Sequence, residues 1–296
     1  PAVAATASQG KTRKIYDAQN QGATRLPGKL VRSEGQASPH SADPAVEEAY
    51  DHSGITYDFY DQVFARNSLD GAGMALVSSV HVGKSLNNAF WTGEQMAYGD
   101  GDGKLFTRFT KSLDVVGHEL SHGVITYSAD LIYQNESGAL NEHFADVLGM
   151  LTRQWHTKTD AASADWLVGK DIMGPAAKAR SLRTFTAEKA YENDPYFGTD
   201  PQPKHLRDQF KGSSDNGGVH SNSGIPNHAF YLFATALKGN AWETAGSLWY
   251  KTLLTLKSDA QFTDMVQATD KAAVEQYGRG SAVHQALTLA WKAVGF

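Results

Sequence analysis

A chain of 296 residues with 41% hydrophobic content can bury a large core, and at this size two lobes are expected. A net charge of -5, a pI near 6.1 and the lack of any Lys/Arg cluster interleaved with aromatics argue against a nucleic-acid surface. No apolar run approaches the roughly 18 residues a membrane helix needs, and zero cysteines exclude disulfides, thiol catalysis and Cys-based zinc sites while leaving the compartment open.

The chain begins Pro1-Ala2-Val3 without an initiating Met or a signal-peptide core, so a processed form is expected. Up to about residue 110 it carries short strand-like pieces such as 73–82, broken by Gly, Asn and Asp turns, with one helical segment at 43–67. The repeat Gly99-Asp100-Gly101-Asp102-Gly103 reads as turn-forming Asp-Gly pairs rather than as a metal site. From Leu113 onward helical patterns take over, at 113–127, 138–149, 227–237, 241–256, 262–277 and 282–294, with Gly239 and Gly278 as stops. The stretch 191–217, rich in Pro, Gly and Asp, is expected to cover one wall of a cleft. The pattern predicts an α+β enzyme of two lobes. A β-rich N-terminal lobe (1–127) ends in the helix 113–127, which joins it to a mainly helical C-terminal lobe (128–296).

Within the joining helix stands His118-Glu119-Leu120-Ser121-His122, two imidazoles one helical turn apart that can share a divalent metal, with Glu119 beside the metal's open position. This pentapeptide arises by chance in on the order of one chain in a hundred, so its surroundings must decide. Leu113, Val116, Leu120, Val124 and Ile125 recur at helical spacing, and a second apolar flank makes the helix a buried one. Titratable groups inside such a helix need a partner or a metal, which a surface helix with incidental histidines does not supply.

A catalytic zinc takes three protein ligands, and the third is expected on the helix 138–149. Glu142 and Asp146 share one side of it, among Ala139, Leu140, Phe144, Val147 and Leu148. Glu142 is predicted to bind the metal and Asp146 to accept the far ring N–H of His118. His143 is a rival ligand, lying about 100° round the helix from Glu142.

At these residues the chain closely resembles the thermolysin-like zinc metallopeptidases. The resemblance runs through Asn87-Asn88-Ala89-Phe90-Trp91, Tyr98-Gly99-Asp100-Gly101-Asp102-Gly103, the helix with both histidines, Leu131-Ile132-Tyr133-Gln134-Asn135-Glu136-Ser137-Gly138, Asn141-Glu142, and residues 215–227, Asp-Asn-Gly-Gly-Val-His-Ser-Asn-Ser-Gly-Ile-Pro-Asn. The compact length and Asp200-Pro201-Gln202-Pro203-Lys204-His205 are most similar to the short, protealysin-like branch.

The resemblance implies zinc ligands at His118, His122 and Glu142, with Asn141 and Asp146 behind them, and a general base at Glu119. It implies oxyanion donors at Tyr133 and His220, with Asp215 holding the imidazole. Asn88 and the Ala89 backbone match the edge strand that pairs with an extended peptide, and Arg183 the arginine that holds a substrate carbonyl. Phe106, Phe109, Val115, Val168 and Leu182 match the pocket on the leaving-group side, which predicts a neutral endopeptidase cutting before Leu, Phe or Ile. Where thermolysin carries carboxylates at a double calcium site, this chain has Arg153, Leu167 and Lys170, so loss of that site is expected, with pairing of the cations to Asp114 and Asp165.

Further expectations are protein and peptide substrates, an inhibitory N-terminal propeptide before maturation, no nucleic-acid or membrane partner, and a monomer. Secretion or export from a bacterium is expected, cytoplasmic storage before release being the alternative. Two rival classes are an aminopeptidase, for which no motif supplies an acidic anchor, and a module that zinc only stabilises, which has no use for a base.

Overall fold

The structure, a computed structural model, describes residues 10–38 and 42–296. Pro1-Ala2-Val3 lies outside the described residues. Its first part is built on a five-stranded sheet in the order β2-β1-β3-β5-β4, from β1 (Arg13–Asp17), β2 (Lys29–Ser33), β3 (Leu76–Val80), β4 (Ala89–Trp91) and β5 (Met96–Tyr98). The pairs β1–β3 and β3–β5 are parallel, while β2 and β4 close the two edges antiparallel. The strand expected at 73–82 is trimmed because Gly73 (φ 90°) and His81 (φ 54°) leave the extended region.

Helix α1 (Pro44–Phe64) starts where Asp43 accepts the N–H groups of Ala45 and Val46 at 3.1 and 3.4 Å and proline occupies the first helical position. It buries Val46, Ala49, Phe59 and Tyr60 and ends at Ala65, whose φ of 53° breaks the repeat. Beyond it, α2 (Leu113–Thr126) and α3 (Asn135–Thr157) pack along one another. The sequence reading stopped α3 at Gly149, but the apolar stripe continues through Met150 and Leu151, and the helix runs on to a left-handed Lys158 (φ 55°).

Gly149 is a crossing point rather than a stop. A Cβ there would lie 2.4 Å from Asp114 O and 2.7 Å from His118 N, and one on Gly117 would lie 3.1 Å from Gly149 Cα. The two backbones therefore approach through a glycine pair, which seats α3 directly against the turn of α2 that carries His118.

After α3 come a two-stranded ribbon of β6 (Leu167–Val168) and β7 (Arg183–Thr184), then α4 (Ser214–Asn222), α5 (Gly224–Leu237), α6 (Thr244–Leu253), α7 (Phe262–Tyr277) and α8 (Ala282–Ala293). Fully buried aromatics, among them Phe230, Phe233 and Trp249, fill the space between these helices and α3. His143 belongs to this core: it is completely buried, lies 2.7 Å from Asn227 Oδ1 and receives the Trp249 indole N–H at 2.8 Å. Burial lowers its pKa to about 4, so it is a neutral, fully bonded ring.

Two charged clusters tie the elements together. Asp114, 1% exposed, accepts from Arg153 Nη1 and the Gly169 N–H, each at 3.0 Å, and Arg153 also pairs with Asp165, as does Lys170. His81 bridges Asp100 (2.8 Å) and Asp43 (3.0 Å), tying the end of β3 to the start of α1.

Adding a methyl group at Gly149 should cost about 1–3 kcal/mol, because the atoms it meets are backbone. Urea unfolding of Gly149→Ala measures this, and a parent-like midpoint would show that the helices can part freely. The bonds to Asp100 and Asp43 outweigh desolvation and raise His81 to about 9. That is above the ordinary value of about 6.5, so its stabilisation is complete below about pH 6.5 and is lost as pH rises through 9. The stability gap between the parent and His81→Asn should accordingly narrow on going from pH 6 to about pH 10, and a constant gap would contradict a charged clamp.

Candidate active site

One turn of α2 separates His118 from His122, so both rings leave the same face, and α3 presents Glu142 opposite them. The ring nitrogens Nε2 of the two histidines are 3.1 Å apart, Glu142 Oε2 is 3.5 Å from the first and Glu142 Oε1 3.4 Å from the second. One donor atom from each of the three residues falls within 4.8 Å of the others. Glu142 is 1% exposed, and its Oε2 has no hydrogen-bond partner among the described residues. A buried carboxylate oxygen left unpaired is costly, and a cation among these donors removes the cost.

The outer ring nitrogens are already engaged. Asp146 can only accept, so the His118 Nδ1–H donates to it at 2.8 Å and Nε2 presents its lone pair inward. His122 Nδ1 is bonded to Asn141 Oδ1 at 2.8 Å, and Asn141 is itself oriented by donating its amide to Leu131 O at 3.0 Å. Two imidazoles, each turned inward by a partner behind it, and one carboxylate are the donor set that zinc takes, the metal replacing the protons on the inward ring nitrogens. Burial opposes the charge on Glu142, but the neighbouring His118, His122 and His220 hold its pKa well below the usual carboxylate value.

Asp146 has no exposed side-chain surface and receives four hydrogen bonds. Besides His118, Arg183 donates through Nε at 2.8 Å and Nη2 at 2.6 Å, and Asn227 through its amide at 2.9 Å. Desolvation would raise its pKa, but the Arg183 charge and the His118 bond lower it below the ordinary range.

Glu119 faces the cleft between the two histidines and makes no side-chain hydrogen bond among the described residues. Desolvation pushes its pKa up, against the opposing pull of His118 and His122. Across the cleft the Tyr133 hydroxyl donates to Glu142 and lies 3.2 Å from His220 Nε2. Burial and the Glu142 charge raise the Tyr133 pKa, so it stays a neutral donor. Asp215 accepts both from His220 Nδ1 at 2.6 Å and from the His220 backbone N–H at 2.8 Å. It reaches them because Asp215, Asn216, Gly217 and Gly218 all adopt left-handed conformations, with φ from 50° to 83°, a turn that Asp, Asn and Gly tolerate best.

His118, Glu119, His122, Tyr133, Glu142 and His220 line a cleft of about 690 Å³. Of the residues expected to bind substrate, Asn88, Ala89, Phe109, Val115, Val168, Leu182 and Arg183 line it. Phe106 is not among them: its ring packs on Phe109, centroids 5.5 Å apart, and on Phe197 at 5.4 Å. Nor does the stretch 191–217 form a wall. It buttresses the site from behind, with Gln202 donating to His220 O at 2.7 Å and Phe210 N to Asn222 Oδ1 at 2.9 Å. The other end of the cleft carries Phe90, Trp91, Thr126, Asp130, Leu131 and Ile132, to which sequence reasoning gave no role, although Phe90, Trp91, Leu131 and Ile132 fall in the quoted runs.

Comparison with known proteins agrees with this geometry. Residues 5–126 match the family model of the thermolysin metallopeptidase catalytic domain, and residues 129–296 that of its alpha-helical domain. An extracellular metalloprotease of Pectobacterium carotovorum subsp. carotovorum is 46% identical over 96% of this chain and 80% of its own length. Thermolysin of Alicyclobacillus acidocaldarius subsp. acidocaldarius is 38% identical over 95% of this chain and 50% of its own. The solved precursor of protealysin, a metalloproteinase from Serratia proteamaculans, superposes with a TM-score of 0.92 at 50% identity, covering 97% of this chain and 88% of that one. With two inward-facing histidines, a buried glutamate and the two family models together matching nearly the whole chain, it belongs to the thermolysin family of zinc metalloendopeptidases.

Proposed function

We propose that this enzyme cleaves internal peptide bonds before bulky hydrophobic residues, with Glu119 as general base. The observation that carries the reading is the placement of an otherwise unbonded Glu119 carboxylate in the cleft beside the donors His118, His122 and Glu142. Zinc held by those three supplies a Lewis acid that brings the pKa of water from about 15.7 toward 7. Glu119 takes the proton from the attacking water and passes it to the departing amine, a role its raised pKa suits. The Tyr133 O–H, freed when Glu142 turns to a metal, and the His220 Nε2–H donate to the carbonyl oxygen as negative charge grows on it, and Asp215 fixes the His220 ring for that task.

The edge strand β4 offers Asn88 and the Ala89 backbone to an extended peptide, which gives affinity without sequence preference. Selectivity comes from Phe109, Val115, Val168 and Leu182 on the leaving-group side, where each buried methylene of the substrate gains about 0.8 kcal/mol. Arg183, held by Asp146, is positioned to donate to a substrate carbonyl beyond the scissile bond. The names of the relatives, an extracellular metalloprotease and a protealysin precursor, support an exported enzyme made with an inhibitory propeptide. We further infer that Arg153 and Lys170 stand in for the paired calcium ions of larger relatives, since their charges meet Asp114 and Asp165 directly.

Glu119→Gln should keep zinc, as elemental analysis will show, while kcat/KM on an internal-bond peptide falls about 10²–10⁴-fold; full turnover would remove Glu119 from the mechanism. Calcium addition should leave the melting temperature of the zinc-loaded enzyme nearly unmoved, and a steep rise would refute the replacement by Arg153 and Lys170.

A further inference from the structure

We propose that Asp130 selects peptides carrying lysine or arginine just before the scissile bond, an inference that rests on the cleft orientation given above. With the apolar pocket of Val115, Val168 and Leu182 at one end, the acyl side of the substrate extends toward the other, where α2 stops and Thr126, Asp130 and Ile132 line the cleft. Asp130 is exposed there, and among the described residues its carboxylate has neither an ion-pair partner nor a hydrogen-bond donor. The remaining acids of the lining, Glu119 and Glu142, belong to the metal site, and its one arginine, Arg183, is already paired with Asp146.

The position of Asp130 is fixed by the backbone. Its N–H donates to Ile125 O at 2.8 Å and its φ is 49°, so the residue is clipped onto the last turn of α2 in a conformation that Asp, Asn and Gly tolerate. The C-terminal end of that helix adds partial negative charge to the same region. Trp91 and Ile132, the latter 51% exposed, provide an apolar track for the methylene stem of a long cationic side chain, whose head then meets the carboxylate.

The test uses zinc-loaded enzyme and peptides with one hydrophobic residue after the scissile bond and Lys, Gln or Glu at either of the two positions before it. An exposed charge pair supports about a threefold preference for Lys over Gln and a similar penalty for Glu, hence a Lys-to-Glu ratio in kcat/KM of about tenfold that shrinks with added salt. Asp130→Asn and Asp130→Gly both suit the left-handed backbone, and in both the ratio should fall to about one. Cleavage at the expected bond with no Lys preference in the parent, or with the same preference in both variants, would overturn the assignment of Asp130 alone. Cleavage elsewhere in every peptide would overturn the cleft orientation and this proposal with it.

Discussion

A carboxylate without exposed surface, Asp146, receives hydrogen bonds from His118, Arg183 and Asn227, so α2, β7 and α5 converge on one buried negative charge. An isolated ion in such a place would be prohibitively expensive, and a half-satisfied one is worse than an apolar core. With four donors present the charge holds its partners in register. It orients one metal ligand, keeps Arg183 at the rim of the cleft, and ties both to the helix whose Asn227 also bonds His143 in the core. In the proposed chemistry, metal binding and substrate binding therefore share one electrostatic anchor, although they lie on different elements.

That anchor works because α2 and α3 are brought close enough for side chains on each to meet. The glycine pair Gly117 and Gly149 permits the approach, and the apolar flanks of both helices bury the seam. Polar groups in the seam find partners, as with His122 and Asn141 or His118 and Asp146. Glu142 Oε2 has none among the described residues, and an unbonded oxygen at the meeting point of three donors suits a metal site.

Much of this was legible in the chain because the relevant spacings are local. Two histidines four apart and two acids four apart each define a helix face, and the apolar residues around them say that the faces are buried. What escaped was set by contacts distant in sequence. The angle from Glu142 already made His143 a secondary candidate, but its role in the core depends on Asn227 and Trp249, 84 and 106 residues on. Phe106 reads as pocket lining, but its ring packs between Phe109 and Phe197, the latter 91 residues on. The extent of α3 was misread because a glycine that serves a helix crossing has the same letter as one that ends a helix. Gly149 gives no local sign of which role it plays.

The reversed turn from Asp215 to Gly218 carries a consequence for descent. A left-handed run of four residues penalises branched and bulky side chains at each of its positions, because their Cβ atoms crowd the following carbonyl. Substitution is thereby restrained along the stretch that delivers the His220 imidazole.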